Sequence, residues 1–254
     1  MSGHSKWATI KRKKAATDSA RGRLFTRLGK EIAIAARDGG GNPEGNPRLR
    51  LAIQTAKTAN MPADNIKRAV QRGTGELPGV TYEEITYEGY GPGGAAILVE
   101  VVTDNANRTV SELRHVFSRQ HGNLGQAGSV AWMFQKNGTI VIPRKGSLAE
   151  DDVMAIALES GADDMQTDED TYTVLASPQT FETVKKALED KSIPIESASI
   201  GMLSKNTVRV TGKEAEQLLR LLEALEEHDD VQNVHSNLDI EEKELAALQS
   251  GGSG

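Results

Sequence analysis

The chain has 254 residues, 37% hydrophobic and 26% charged, a balance typical of a globular protein that folds in water. It holds no cysteine, which excludes disulfides, thiolate nucleophiles and cysteine-ligated zinc or iron–sulfur centres and fits a reducing compartment. The net charge of −6 conceals a division: residues 1–72 hold 16 Lys and Arg against 5 Asp and Glu, giving +11, and the remainder carries −17.

A local positive field of that size is what a polyanionic partner requires. There is no run of eighteen apolar residues, and no apolar segment follows the basic opening, so the expectation is a cytoplasmic protein without a membrane partner. A mitochondrial transit peptide shares the basic, acid-poor character of the opening and is the alternative reading of it.

Residues 1–23 are polar and basic without apolar periodicity, and read as an arm that orders on a partner. An amphipathic helix is predicted over 18–38, with Leu24, Phe25, Leu28, Ile32, Ala35 and Ala36 in one arc and Gly39 as its stop. Arg23, Arg27, Lys30 and Arg37 fall on the opposite face, interrupted by Ile34, and predict a strongly positive surface. After a glycine loop, Asn46 and Pro47 predict a helix start, with Leu49, Ala52, Ile53 and Ala56 facing inward. A third helix begins near Pro62, buries Ile66, Ala69 and Val70, and ends at Gly73.

Beyond residues 75–79 the pattern becomes α+β. Ile85 and Tyr87 alternate, and 95–102 is a continuous apolar strand. A helix capped by Asp104 or Asn105 carries Val110, Leu113, Val116 and Phe117 and closes at Gly122. Strands at 130–134 and 139–142 flank Asn137-Gly138, which predicts a hairpin turn. Helix 149–160, strands at 165 and 172–176, helix 178–190 and strand 195–203 then complete a βαββαβ series, the ferredoxin-like order. Strand 208–210, helix 213–228 and strand 231–235 follow, and 250–254 reads as a linker.

Several motifs invite chemistry that their context argues against. Gly89, Gly91 and Gly94 satisfy a G-x-G-x-x-G spacing, but they lead into a strand and Pro92 removes an amide, so a tight inter-strand loop is expected and no cofactor. Asp163, Asp164, Asp168, Glu169 and Asp170 lack the glycine and distal glutamate of a calcium loop and read as a solvated hairpin. No two of His4, His115, His121, His228 and His235 have helical metal-pair spacing, and no metal is expected. Without a nucleophile elbow, phosphate loop or zinc-protease motif, the expectation is a non-enzymatic chain with no small-molecule substrate. An enzyme would need a pocket between the α+β units using Tyr90, Asp104 or Arg108.

The positive case is the arm His4, Ser5, Lys6, Trp7, Lys11, Arg12, Lys13 and Lys14 together with Arg21, Arg23, Arg27 and Lys30. Such cation density suits phosphate neutralisation, and Trp7 could stack on an unpaired base. The bland reading is a solvated charged face with Trp7 tucked onto the helices. No base-reading module is recognisable, so contacts to phosphate and shape are expected to dominate.

Gly3-His4-Ser5-Lys6-Trp7, Asn46-Pro47-x-Leu49-Arg50, Asn60-Met61-Pro62 with Asp64-Asn65-Ile66, residues 87–94, Thr103-Asp104-Asn105 with Asn107-Arg108-Thr109, and Gly128-Ser129-Val130 together closely resemble the YebC/PmpR family. That family includes the mitochondrial translational activator of cytochrome c oxidase. The resemblance implies an α+β multidomain protein: an N-terminal three-helix domain, an α+β domain, and a ferredoxin-like domain inserted into it. The corresponding ranges are 1–79, then 80–135 with 204–246, then 136–203, leaving 247–254 as a tail. It implies either a DNA-binding transcriptional regulator or a ribosome-associated translation factor that binds rRNA or tRNA and relieves stalls at proline-rich sequences.

Overall fold

A computed structural model describes residues 18–144, 149–168 and 170–241. The first three helices are α1 (Asp18–Gly39), α2 (Pro47–Thr58) and α3 (Ala63–Gly73). Leu28, Ile32, Ala35 and Ala36 of α1 bury against Leu49, Ala52 and Ala56 of α2 and Ile66 and Ala69 of α3. Small residues let the backbones approach closely: a Cβ on Gly73 would lie 2.2 Å from the Ala33 carbonyl oxygen. The start of α2 follows the sequence. The Asn46 side chain accepts the Leu49 N–H at 3.0 Å, and Pro47 occupies the first turn, where an N–H would have no helical partner. The Asn46 amide also donates to the carbonyls of Ala35 and Gly40, tying the end of α1 to the start of α2.

The chain continues through β1 (Glu83–Tyr90), β2 (Ala96–Thr103), α4 (Ala106–Arg119), β3 (Asn123–Leu124) and β4 (Phe134–Pro143). Then come α5 (Glu150–Glu159), β5 (Asp164–Thr167), β6 (Thr171–Ala176), α6 (Phe181–Asp190) and β7 (Ser197–Ser204). It ends in β8 (Val208–Arg209), α7 (Gly212–Glu226), β9 (Val231–Ser236) and β10 (Leu238–Asp239).

One antiparallel sheet has the order β3-β1-β2-β9. Its strand β2 is buried along nearly its whole length, apolar except for Glu100 and Thr103, because both faces are covered. Ile97, Val99 and Val101 pack with Leu113 and Phe117 of α4 and Leu218, Leu221, Leu222 and Leu225 of α7. Ala96 and Leu98 face Val130 and Phe134 on the other side. A second antiparallel sheet, β5-β6-β4-β7, is built from residues between the strands of the first. Its core is Ile140, Ile142, Tyr172 and Val174 beneath Val153 and Ala157 of α5 and Val184 and Leu188 of α6. The architecture is α+β, as predicted. Among the described residues no helix is long and apolar enough to cross a membrane.

Three local expectations are corrected. Residues 131–133 form a 3-10 turn rather than part of a strand, and β4 begins at Phe134. Asn137-Gly138 is not a turn: Gly138 lies inside β4, paired with Ala176 on one side and Ile200 on the other. The lack of a side chain serves packing there, since a Cβ would sit 2.1 Å from the Phe181 ring. At the end of α4 the left-handed residue is His121 rather than Gly122. Gly89 lies in β1, paired with Ile97, and the predicted inter-strand loop runs from Gly91 to Ala95, with Gly93 and Gly94 at positive φ.

Candidate nucleic-acid interface

The arm residues His4, Ser5, Lys6, Trp7, Lys11, Arg12, Lys13 and Lys14 lie outside the described residues. Of the helical cations, Arg21 is exposed. The others turn toward the protein. Arg23 Nη2 lies 3.9 Å from Glu227, and Arg27 donates to the Glu226 carbonyl at the end of α7. A cation at a helix C-terminus complements the partial negative charge of the unpaired carbonyls there. Burial pushes the Arg27 guanidinium below its ordinary pKa, with Glu226 opposing that shift.

Lys30 goes furthest inward: it is 8% exposed. Its ammonium donates to Asp230 Oδ1 at 2.6 Å and to the carbonyls of Asp229 and Val102. The expectation that Arg27 and Lys30 meet a polyanion is therefore corrected. Their face of α1 is an internal interface that docks the helices on the β2, α7 and β9 region. Ile34, which interrupts the basic arc, is 1% exposed and packs outside the core that α1 shares with α2 and α3. It was the sequence signal that this face is covered.

Asp230 is the centre of the docking site. Its second oxygen accepts from Thr109 at 2.7 Å, Arg108 at 2.9 Å and Thr103 at 3.1 Å. Burial alone would raise its carboxyl, but the hydrogen bonds from Lys30, Thr109 and Arg108 hold it well below the usual aspartate range. Hydrogen bonds to Asp230 and Asp104 hold the Arg108 guanidinium above its ordinary value. A cleft of about 840 Å³ opens beside this network, lined by Tyr82, Asp104, Arg108, Glu112, His115 and His228 among others. Asp104 and Arg108 pair here at 2.9 Å. Tyr90 is engaged elsewhere, its hydroxyl donating to the Ser129 carbonyl, so of the three candidates for an enzyme pocket only Asp104 and Arg108 meet at this cleft.

Glu112, His228 and Asp230 place ligand atoms within 4.8 Å of one another. The Asp230 N–H donates to His228 Nδ1, which puts the ring proton on Nε2, 2.9 Å from Glu112. A divalent cation there would meet Lys30 and Arg108, both already bonded to the Asp230 carboxylate. The grouping is an ion-pair network and does not suit a metal.

Free cations stand on α3 instead, where sequence reasoning did not look. Lys67, Arg68 and Arg72 are exposed and have no ion-pair partner among the described residues. Arg68 and Arg72, one helical turn apart, edge a groove of about 260 Å³ with Asn65, Thr26, Gly29 and Met61. On α2, by contrast, Arg48 is neutralised by Glu31 and Glu84, while Lys57 is exposed. The signal for α3 was its composition, two adjacent cations and a third four residues on, with a single acid at Asp64.

A family model described as the TACO1/YebC protein N-terminal domain matches residues 5–76, and one described as the TACO1/YebC second and third domain matches residues 82–238. A probable transcriptional regulatory protein of Pelotomaculum thermopropionicum is 56% identical over 95% of this chain and 100% of its own length. Another, DP2908 of Desulfotalea psychrophila, is 58% identical over 98% of this chain and 99% of its own. The crystal structure of a conserved hypothetical protein, Aq1575 from Aquifex aeolicus, superimposes with a TM-score of 0.78 at 47% identity, covering 90% of this chain and 94% of that one.

Proposed function

Because the chain belongs to the TACO1/YebC family, whose members in several bacteria carry the name probable transcriptional regulatory protein, we propose that it is a non-enzymatic, nucleic-acid-binding regulator of gene expression. The observation that carries this reading is the set of unpaired cations on α3, Lys67, Arg68 and Arg72, within a segment of charge +11 that also contains the arm. Elsewhere in that segment Arg27 and Lys30 of α1 are consumed by protein contacts. Cations left without acids in a chain of net charge −6 suit phosphate contacts.

The contact surface is α3 together with the arm residues Lys6, Lys11, Arg12, Lys13 and Lys14, with Arg21 and Arg23 at its margin. The chain is read as a basic helical unit, an α+β unit, and a ferredoxin-like unit inserted between the strands of the second. The strand order β5-β6-β4-β7 supports the ferredoxin-like reading.

Two targets follow from the same surface, duplex DNA at promoters or the rRNA and tRNA of ribosomes at proline-rich stalls. The relatives' names support the first. The absence of a recognisable base-reading module in the sequence supports the second. Crosslinking and sequencing of the bound nucleic acid, read beside a sedimentation profile, separates them: discrete promoter fragments away from ribosomes, or rRNA and tRNA with ribosomes. Lys67→Glu with Arg68→Glu and Arg72→Glu is expected to abolish either association. Retention of both in that triple variant would overturn the assignment of α3.

A further inference from the structure

The 3-10 turn before β4 holds an aromatic ring that stands outside the core. Val130 and Phe134 bury against Ala96 and Leu98, with Ala131 and Met133 packed beside them. Trp132, between them, is 61% exposed. A lone exposed apolar side chain is ordinary and would carry no inference. What distinguishes Trp132 is the rigidity of its mount.

Glu88, on β1 and 6% exposed, accepts the N–H groups of Gly128, Val130 and Ala131 at 2.6, 2.6 and 2.7 Å. The Ser129 carbonyl receives both the Tyr90 hydroxyl and the Trp132 indole N–H, at 2.9 and 3.1 Å. From the other side the Lys205 N–H donates to the Met133 carbonyl, and its ammonium donates to the Trp132 carbonyl at 3.2 Å. Ring and backbone are thus fixed before any partner arrives, which removes much of the ordering cost of binding.

The geometry points to Trp132 as a stacking platform for one unpaired nucleobase of the bound nucleic acid. This rests on the nucleic-acid reading above and adds a second contact, outside the helical unit. The indole N–H is already used, so the ring offers only its face, and stacking on a face tolerates any base. The Lys205 ammonium sits on the Trp132 backbone carbonyl, so a cation stands beside the residue that carries the ring. The other exposed large hydrophobics among the described residues, Leu24, Leu51, Val80, Leu158 and Ile200, lie outside the 125–134 segment and the turn that carries Lys205.

The chain has two tryptophans, so Trp7→Phe leaves Trp132 as the sole indole fluorophore. In that variant, a single-stranded uridine 16-mer is expected to quench the emission, and an RNA duplex of equal length is not, because its base faces are stacked. In the otherwise native chain, Trp132→Ala is expected to weaken the single strand about tenfold with an unchanged salt slope, and to leave duplex affinity alone. Trp132→Phe should recover most of the loss. Native single-strand affinity in Trp132→Ala overturns the platform, and it leaves the nucleic-acid reading standing if the α3 triple variant still loses binding. A blue shift of Trp132 emission on self-association without RNA would assign the ring to a protein contact instead. If the native chain binds neither RNA, the platform falls, and binding or non-binding of duplex DNA decides whether the nucleic-acid reading stands.

Discussion

Lys30 and Asp230 meet at 2.6 Å across 200 residues of sequence, joining the first helix to the turn before β9. Their two charges are not equally supported. Without Lys30, Asp230 keeps Arg108, Thr109 and Thr103. Without the Asp230 carboxylate, the Lys30 ammonium stays buried against two backbone carbonyls. Removing one partner of a buried pair costs about 3–5 kcal/mol when the other charge is left uncompensated. Asp230→Asn is therefore expected near that range and Lys30→Met well below it, about 1–3 kcal/mol. Urea unfolding of the two variants checks the order; an equal or reversed cost would show that Asp230 depends on Lys30 alone.

The same carboxylate sets an acid limit. Asp230 is held below its ordinary value in the folded chain despite burial, by the bonds from Lys30, Thr109 and Arg108. A depressed folded pKa means a contribution to stability that is complete above the unfolded value of about 3.9 and is lost as pH falls below it. Glu88 acts in the same direction, since three backbone N–H donors outweigh the effect of its burial. The stability difference between the native chain and Asp230→Asn is expected to be constant near neutrality and to shrink steadily below about pH 4. A difference that stayed constant into acid would remove Asp230 from the list of groups that titrate on unfolding.

What the sequence disclosed was local. The Asn46 cap with Pro47, the Asn105 cap, the buried β2 run and the βαββαβ order are written within a few residues of where they act. What it hid depends on partners far along the chain. The arc of Arg27 and Lys30 has the periodicity of a solvated face, and only the arrival of Glu226 and Asp230 makes it an interface. Glu88 looks like an ordinary strand carboxylate until the loop 40 or so residues later supplies its donors. Asn-Gly at 137–138 misled because a glycine needed for packing carries the same letter as one needed for a turn.

That distinction has a measurable consequence at Gly138. In the interior of a strand, alanine normally improves on glycine by reducing the freedom of the unfolded chain, by about 0.4–1 kcal/mol where the backbone permits. Here the new Cβ would lie 2.1 Å from Phe181 Cδ2 and 2.8 Å from Cγ, against a ring that is itself buried. Gly138→Ala is expected to reverse the sign and destabilise by about 1–3 kcal/mol. Combining it with Phe181→Leu should restore part of the loss, because the smaller side chain opens the space. Thermal unfolding of the single and double variants decides; additive losses would mean that the strand, not the ring, rejects the methyl.

The division of labour between arm and α3 is open to the same kind of test, through salt. Each neutralised phosphate contributes roughly −0.9 to the slope of log affinity against log salt on duplex DNA and roughly −0.7 on single strands. Lys11→Glu, Arg12→Glu, Lys13→Glu and Lys14→Glu together are expected to weaken binding to every sequence alike and to flatten that slope by about one for each phosphate the arm had met. Arg27→Gln, whose cation is spent on the Glu226 carbonyl, should leave the slope where it was. Filter binding across a salt series separates these cases. An unchanged slope in the arm variant would place the phosphate contacts on α3 alone, whereas a flattened slope in Arg27→Gln would mean that α1 leaves its dock when nucleic acid binds.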